Sequence, residues 1–330
     1  LTEVAKKAGV SEATVSRVLN GRAGVSEATR AAVLTALDVL GYERPTKLRG
    51  ERARLVGLVL PELQNPIFPA FAEAVTGALV QRGFSPVLCA RTIGGVSEVD
   101  FLDMLLEHRV SGIIFAGGNY AMADAGHDHY RTLVERGLPA VLVNAGVDEL
   151  PFPRVSTDDA VAVEQAYAHL VSLGHSRIGA LLGPADHVPS MRKLAALEAT
   201  IARDAGMSLD VERSGFSMEG GRAAAAKLAE RGATGVLCAS DVLALGAVRA
   251  VRRLGLRVPQ DVSVVGFDDS AFMNCTDPPL TTVRQPIEAM GQSVVELLVN
   301  QIEGVGVPPD ELLFEPELVV RGSTGPAATR

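Results

Sequence analysis

Two groups of residues in this 330-residue chain have types and spacing suited to chemistry, and in both cases the chemistry is binding. The first lies in "SEATVSRVLN", residues 11–20. At helical spacing Val15, Val18 and Leu19 turn inward, which leaves Glu12, Ala13, Thr14, Ser16 and Arg17 on the outer face. A helix of this width fits the major groove of B-DNA, and the guanidinium fork of Arg17 matches the paired acceptors of guanine. Thr2, Ser11, Ser16, Asn20, Ser26 and Thr29 offer small polar groups suited to phosphate oxygens, contacts that set register without reading sequence. The plain alternative is a three-helix bundle with a solvated polar face.

The second group stands at the ends of strand-like runs. Asn65 and Phe68 follow the first run and Asn144 follows the fourth. In the second half come Ser190, Arg192 and Lys193 in "GPADHVPSMRK", then Phe216, then Ser240 and Asp241 in "SDVLALG", then Asp268 and Phe272 in "GFDDSAFMN". A few aromatic rings among amides, hydroxyls and charges suit a sugar, whose ring faces are apolar and whose hydroxyls need donors and acceptors. Asp241 has two readings, a ligand contact or simply the first-turn acid of a helix on its dipole, and the residue type does not choose between them.

The elements that must position these residues can be read from periodicity and caps. Thr2 to Ala8 forms a first helix ended by Gly9, Ser11 caps a second, and Ser26 caps a third from Glu27 to Leu40, with Val33, Leu34, Leu37 and Leu40 inward. Residues 43–54, "ERPTKLRGERAR", have no apolar periodicity and read as a linker. From Leu55 onward, apolar runs ("LVGLVL", "SPVLCA", "GIIFA", "AVLVN", then "RIGALL", "GVLCAS", "VSVVGF") alternate with amphipathic helical stretches. That alternation predicts an α/β fold of two doubly wound parallel sheets covered by helices. The expected plan is a head at 1–45, a linker at 46–54, one subdomain from 55–150 with 285–313, a second from 151–284 with 314–324, and a disordered tail at 325–330. In such sheets the ligand lies outside the carboxyl ends of the strands, which puts the pocket between the two.

Charge sharpens the division of labour. The chain carries −8 overall, yet residues 1–54 hold ten basic and six acidic side chains, so the head and linker are +4 and the rest −12. A basic end on an acidic body is the asymmetry expected where only the small end meets phosphates. No run of about 18 apolar residues and no basic-apolar-small leader pattern occurs, so no membrane partner is expected and a cytoplasmic location is, although residue 1 is Leu rather than Met. Cys89, Cys238 and Cys275 have no CxxC spacing and read as buried reduced thiols, and His127-Asp128-His129 reads as a solvated helix start, so no metal is expected. Gly117-Gly118 and Gly220-Gly221 lack the flanking residues of a phosphate loop, and no nucleophile-base motif appears, so neither a cofactor nor an enzyme is expected.

"VAKKAGVSEATVSRVLNG" followed by "VSEATRAAVLTALDVLGY" resembles the helix-turn-helix DNA-binding head of the lactose-repressor (LacI/GalR) family of bacterial transcription regulators, nearly without gaps from Leu1 to Tyr42. That resemblance implies that Glu12 and Ala13 choose operator sequence, that Arg17 reads a base and that Asn20 touches the backbone. It also implies a hinge that turns helical on DNA and inserts Leu48 into the minor groove. Here the interval from Pro45 to Leu48 is about a turn shorter than the family's and Thr46 replaces the customary Asn. The other reading of this stretch is a linker touching phosphates through Arg44, Lys47, Arg49 and Arg52.

The body, above all "SDVLALGAVRAVRRLGLRVPQDVSVVGFDDS" and "PPLTTVRQP", resembles the family's effector core, which is similar to periplasmic sugar-binding proteins. By that resemblance Ser240, Asp268 and either Lys193 or Arg192 hold the ligand, and Phe216 stacks on it. "GGNYA", "GHDHY" and "AFMNCTDPPL" are further similar to actinobacterial maltose and maltodextrin regulators. The implied protein is a sugar-responsive repressor, a homodimer on a pseudo-palindromic operator, with a maltose-type effector. Without the basic head, the body would read equally as a sugar-binding protein with no regulatory role.

Overall fold

Ser11 and Ser26 open two helices by one device, written in the sequence as a repeated "VSEAT". Each serine Oγ accepts from the backbone N–H of a threonine three residues on (Thr14 and Thr29, both 3.2 Å) and pairs with its hydroxyl (2.9 and 2.8 Å). The computed structural model describes residues 2–19, 24–40, 54–91, 94–146 and 150–328. Its head holds α1 (Thr2–Ala8), α2 (Glu12–Leu19) and α3 (Glu27–Val39). Gly9, at φ 65°, makes the turn between α1 and α2, a conformation glycine adopts without a side-chain clash. Val4, Ala5, Val15, Val18, Val33, Ala36 and Leu37 form the head's core. Leu40 is exposed instead of inward, because α3 ends one residue earlier, at Val39.

The remainder has two lobes. The first contains β1 (Arg54–Leu60), α4 (Ile67–Gln81), β2 (Phe84–Ala90), α5 (Glu98–Glu107), β3 (Gly112–Phe115), α6 (Asp128–Glu135), β4 (Ala140–Val143) and β5 (Arg154–Thr157). The second contains α7 (Asp159–Ser172), β6 (Arg177–Leu182), α8 (Val188–Ile201), β7 (Ser208–Arg213), α9 (Met218–Glu230), β8 (Gly235–Cys238), α10 (Asp241–Arg253), β9 (Ser263–Asp268) and β10 (Thr281–Arg284). The chain then returns to the first lobe with α11 (Ile287–Ile302) and β11 (Glu311–Phe314), and crosses back with β12 (Glu317–Val319).

Strand orders are β11-β5-β4-β3-β1-β2 and β12-β10-β9-β8-β6-β7. The registered pairings between described strands are parallel, as in Val56↔Gly112 and Val236↔Val264, except that β12 runs antiparallel to β10. The central strands are buried on both faces, which is why they read as unbroken apolar runs.

Three details depart from the sequence reading. The first crossing falls after β5, at Asp158, and not at the expected division between 150 and 151. The run "RVST" is short and mostly polar, yet it pairs with both β4 and β11 in the first sheet. Residues 325–328 of the supposed disordered tail are tied down: the Gly325 carbonyl accepts from His175 Nε2 (3.1 Å), and Ala327 N–H donates to the Leu173 carbonyl (2.8 Å). His127 and His129 are not solvated either. Their Nε2 atoms bond the Asn119 carbonyl (3.1 Å) and Glu98 Oε1 (2.9 Å). No helix among the described residues is long and apolar enough to cross a membrane.

Candidate functional sites

In the head, Thr2, Ser11, Glu12, Ala13, Arg17 and Ser26 are exposed, and Thr14, Ser16 and Thr29 are partly so. The inward turn of Val15 and Val18 puts Glu12, Ala13 and Arg17 on one continuous outer surface. Asn20 and Leu48 lie outside the described residues.

The second site is a cavity of about 380 Å³ between the two lobes. It sits at the carboxyl ends of the strands, as the crevice rule requires. Asn65, Phe68, Asn144, Ser190, Lys193, Phe216, Ser240 and Asp268 all line it, as expected from their places after strands. Three expected residues do not. Asp241 is fully buried beneath the floor, where its oxygens accept from Thr282 Oγ1 (2.6 Å) and Ser270 N (2.7 Å); burial pushes its carboxyl up to about 6. Arg192, one helical position from Lys193, points away and forms a bidentate pair with Glu311 (2.7 and 3.1 Å). Phe272 is 74% exposed on the loop after β9.

Apolar faces come from Phe68 and Phe71 on α4 and from Phe216 after β7. Phe216 packs edge-on to His187, with ring centroids 5.0 Å apart. Gly183 lets this happen, since a Cβ there would lie 2.5 Å from the Phe216 ring.

The polar groups form two buried sets. In one, Lys193 pairs with Asp159 at the start of α7 and lies 3.9 Å from the centroid of the Phe267 ring. Burial raises the Asp159 carboxyl even against the ammonium beside it, and burial, aided by the Lys193 charge, pulls His187 down to about 4.

The other set is a chain of hydrogen bonds across the hinge. Gln285 Nε2 donates to Asp268 Oδ1 (2.7 Å), while Asn144 Nδ2 (3.0 Å) and Thr157 Oγ1 (2.8 Å) donate to Gln285 Oε1. Asn144 and Asp268, at φ 62° and 125°, hold backbone conformations uncommon for residues other than glycine, which is frequent where a site fixes its side chains. Burial, then the Asp241 charge, raises the Asp268 carboxyl well above the usual range, and its Oδ2 has no hydrogen-bond partner. A buried acceptor without a partner is costly, and Asp268 belongs to the wall of a cavity that a hydroxyl-bearing ligand can fill.

Sequence reasoning missed Phe71, Asp159, Gln285 and Met122 as wall residues. Gln285 had a visible signal, since "LTTVRQP" marks a crossing between lobes, and crossings border the cleft. Asp159 looked like an ordinary first-turn acid, and nothing in the sequence brings it to Lys193.

Residues 1–45 match the model for bacterial regulatory proteins of the lacI family, and residues 167–324 match that for a periplasmic binding protein-like domain. The chain is 51% identical over 333 residues to the HTH-type transcriptional regulator MalR of Streptomyces coelicolor, covering 99% of this chain and 97% of that one. Among solved structures, the transcriptional regulator CelR in complex with cellobiose is similar at a TM-score of 0.73 and 35% identity, covering 97% of this chain and 98% of that one. The lac repressor dimer bound to operator and the anti-inducer ONPF gives a TM-score of 0.78 at 30% identity, with 98% of each chain covered. The chain therefore belongs to the lacI family of bacterial regulatory proteins and is a DNA-binding transcriptional regulator, not an enzyme.

Proposed function

We propose that the protein is a cytoplasmic homodimeric repressor of carbohydrate-uptake genes, released from a pseudo-palindromic operator when a maltose-type sugar fills the interlobe cavity. The observation that carries the reading is an aromatic-walled cavity whose lining gathers the buried polar residues Asn65, Lys193, Ser240 and Asp268. A sugar hydroxyl bonds the Asp268 carboxyl, the Lys193 ammonium and the Asn65 amide offer donors, and Phe68, Phe71 and Phe216 cover the ring faces. Such a ligand touches both lobes, so it favours one setting of the lobes over another and can shift an equilibrium by that difference in affinity. Similarity to MalR favours a maltose-type effector, and the cellobiose-bound CelR structure favours a ligand of disaccharide size.

In the head, Arg17 reads a base, Glu12 and Ala13 tune operator choice, and Thr2, Ser11, Thr14, Ser16, Asn20, Ser26 and Thr29 hold the backbone. Leu48 is the wedge candidate in the linker. One head makes too few base contacts for useful specificity, so a dimer on two half-sites is required, as in the operator-bound lac repressor dimer.

The test is fluorescence anisotropy of the full chain on pseudo-palindromic duplexes from beside its own gene, titrated with maltose, maltotriose and cellobiose. Release by a maltose-type sugar supports the whole reading. A hundredfold weakening of operator binding corresponds to about 2.7 kcal/mol of coupling, and operator must then weaken sugar binding equally. Binding indifferent to all three sugars discards the effector, and affinity without a steep salt slope discards operator binding.

A further inference from the structure

Besides the three chain crossings, the lobes touch at a tie that no crossing passes through. After β3 the chain runs through Gly117 and Gly118 into a short turn at Asn119–Ala121 and then reaches the second lobe. There Ala123 N–H donates to the Asp186 carbonyl (2.8 Å), and Met122 and His187 form an isolated antiparallel bridge. Gly118, Asn119 and Met122 from one side and His187 from the other belong to the cavity wall, so the tie closes part of the cavity.

The segment is held from behind by a buried carboxylate. Glu98, in the first turn of α5, is 3% exposed and accepts from Asn119 N–H (3.2 Å), His129 Nε2 (2.9 Å) and the Tyr130 hydroxyl. Tyr130 in turn accepts from Tyr120 N–H (3.0 Å). Gly118, at φ 147°, is required here because a Cβ would overlap the Glu98 carboxyl. A buried carboxylate is an expensive way to fill a core, and this one spends its acceptors on the few residues that present the wall.

We propose that Met122 and His187 form an openable end wall that sets the length of sugar the cavity admits, with Glu98 as the positioning residue that holds it. The inference rests on the reading of the cavity as a sugar site. At about 380 Å³ the cavity, partly open to solvent, is near the lower end of the roughly 300–1,000 Å³ typical of small-molecule sites. A chain of several rings exceeds that volume, so it must extend through the open side or displace the wall. The tie is a single antiparallel bridge, of which the Ala123–Asp186 hydrogen bond is part, far weaker than three covalent crossings, so it opens while the crossings hold.

The experiment uses the full chain with Cys275→Ser, which removes the exposed thiol, and the pair Ala123→Cys and Asp186→Cys. Neither position lines the cavity, and opposed residues of an antiparallel pair fall within the Cα range of about 4.4–6.8 Å that a disulfide spans. The oxidised protein should bind maltose within about threefold of the reduced protein and lose maltotetraose by more than about twentyfold, with reduction restoring it. Failure of the pair to oxidise, unchanged binding of both sugars, or equal loss of both overturns the wall.

Glu98→Gln should raise maltotetraose affinity relative to maltose while leaving sugar-free operator affinity unchanged. An unchanged ratio removes its positioning role. If the reduced protein binds neither sugar, the sugar reading fails by itself and amide exchange decides the tie. Slow exchange at Ala123 that Glu98→Gln accelerates about tenfold or more supports it, and exchange at the rate of an open loop overturns it.

Discussion

The head and the cavity perform their recognition with opposite architectures. The head's polar surface is exposed and nearly contiguous, running from Ser11 to Arg17 over a core of a few small apolar side chains. The cavity's polar groups are buried and come from elements as far apart in sequence as Asn65 and Gln285. An exposed reader can lose a side chain without losing its fold. A buried site cannot, because each of its groups also satisfies a neighbour, so substitutions there mix binding with stability.

The contrast can be broken at four places. Lys193→Met should have the largest effect, since it leaves the Asp159 carboxyl buried without its partner. A loss of about 3–5 kcal/mol in denaturant-induced unfolding is expected, and a loss comparable to a surface pair would mean that the two groups are wetter than their burial implies. Asp268→Ala should weaken the sugar about a hundredfold, read by titration calorimetry, and, by taking the acceptor from Gln285 Nε2, also cost about 1–3 kcal/mol of unfolding stability. If stability is unchanged while sugar binding falls, the buried site is as separable from its fold as the head and the contrast fails.

Arg17→Ala should cost about 1–3 kcal/mol of operator affinity and relax base preference at one position, with thermal stability changed by less than about 0.5 kcal/mol. Destabilisation beyond that would erase the distinction drawn for the head. Arg192→Ala should do least. Its pair with Glu311 is partly exposed, and burial, which pushes the Glu311 carboxyl up, is more than offset by the Arg192 fork together with the Ser156 hydroxyl and the Arg154 charge. A stability loss of about 1 kcal/mol or less and unchanged sugar affinity are expected, and a large affinity loss would return Arg192 to the ligand.

What the sequence by itself determined was whatever depends on near neighbours. Helix caps at Ser11 and Ser26, the apolar stripe of α2, the alternation of buried strands with amphipathic helices, and hence the outer face of the head and the strand-end positions that line the cavity, all follow from local pattern. Adjacent positions within one helix were harder. Arg192 and Lys193 carry the same charge one residue apart, and only the packing of α8 turned one into the cavity and the other toward Glu311. Asp241 and Asp268 are similar residues at similar places after strands. One became a floor support because Thr282 and Ser270 meet it, while the other, held by Gln285, stands in the cavity wall. The tertiary structure alone decided such matters, and it also joined Asp159 to Lys193 and Met122 to His187. Hydrogen-bond partners and burial are set by groups distant in sequence, and composition and periodicity carry no record of which distant groups will meet.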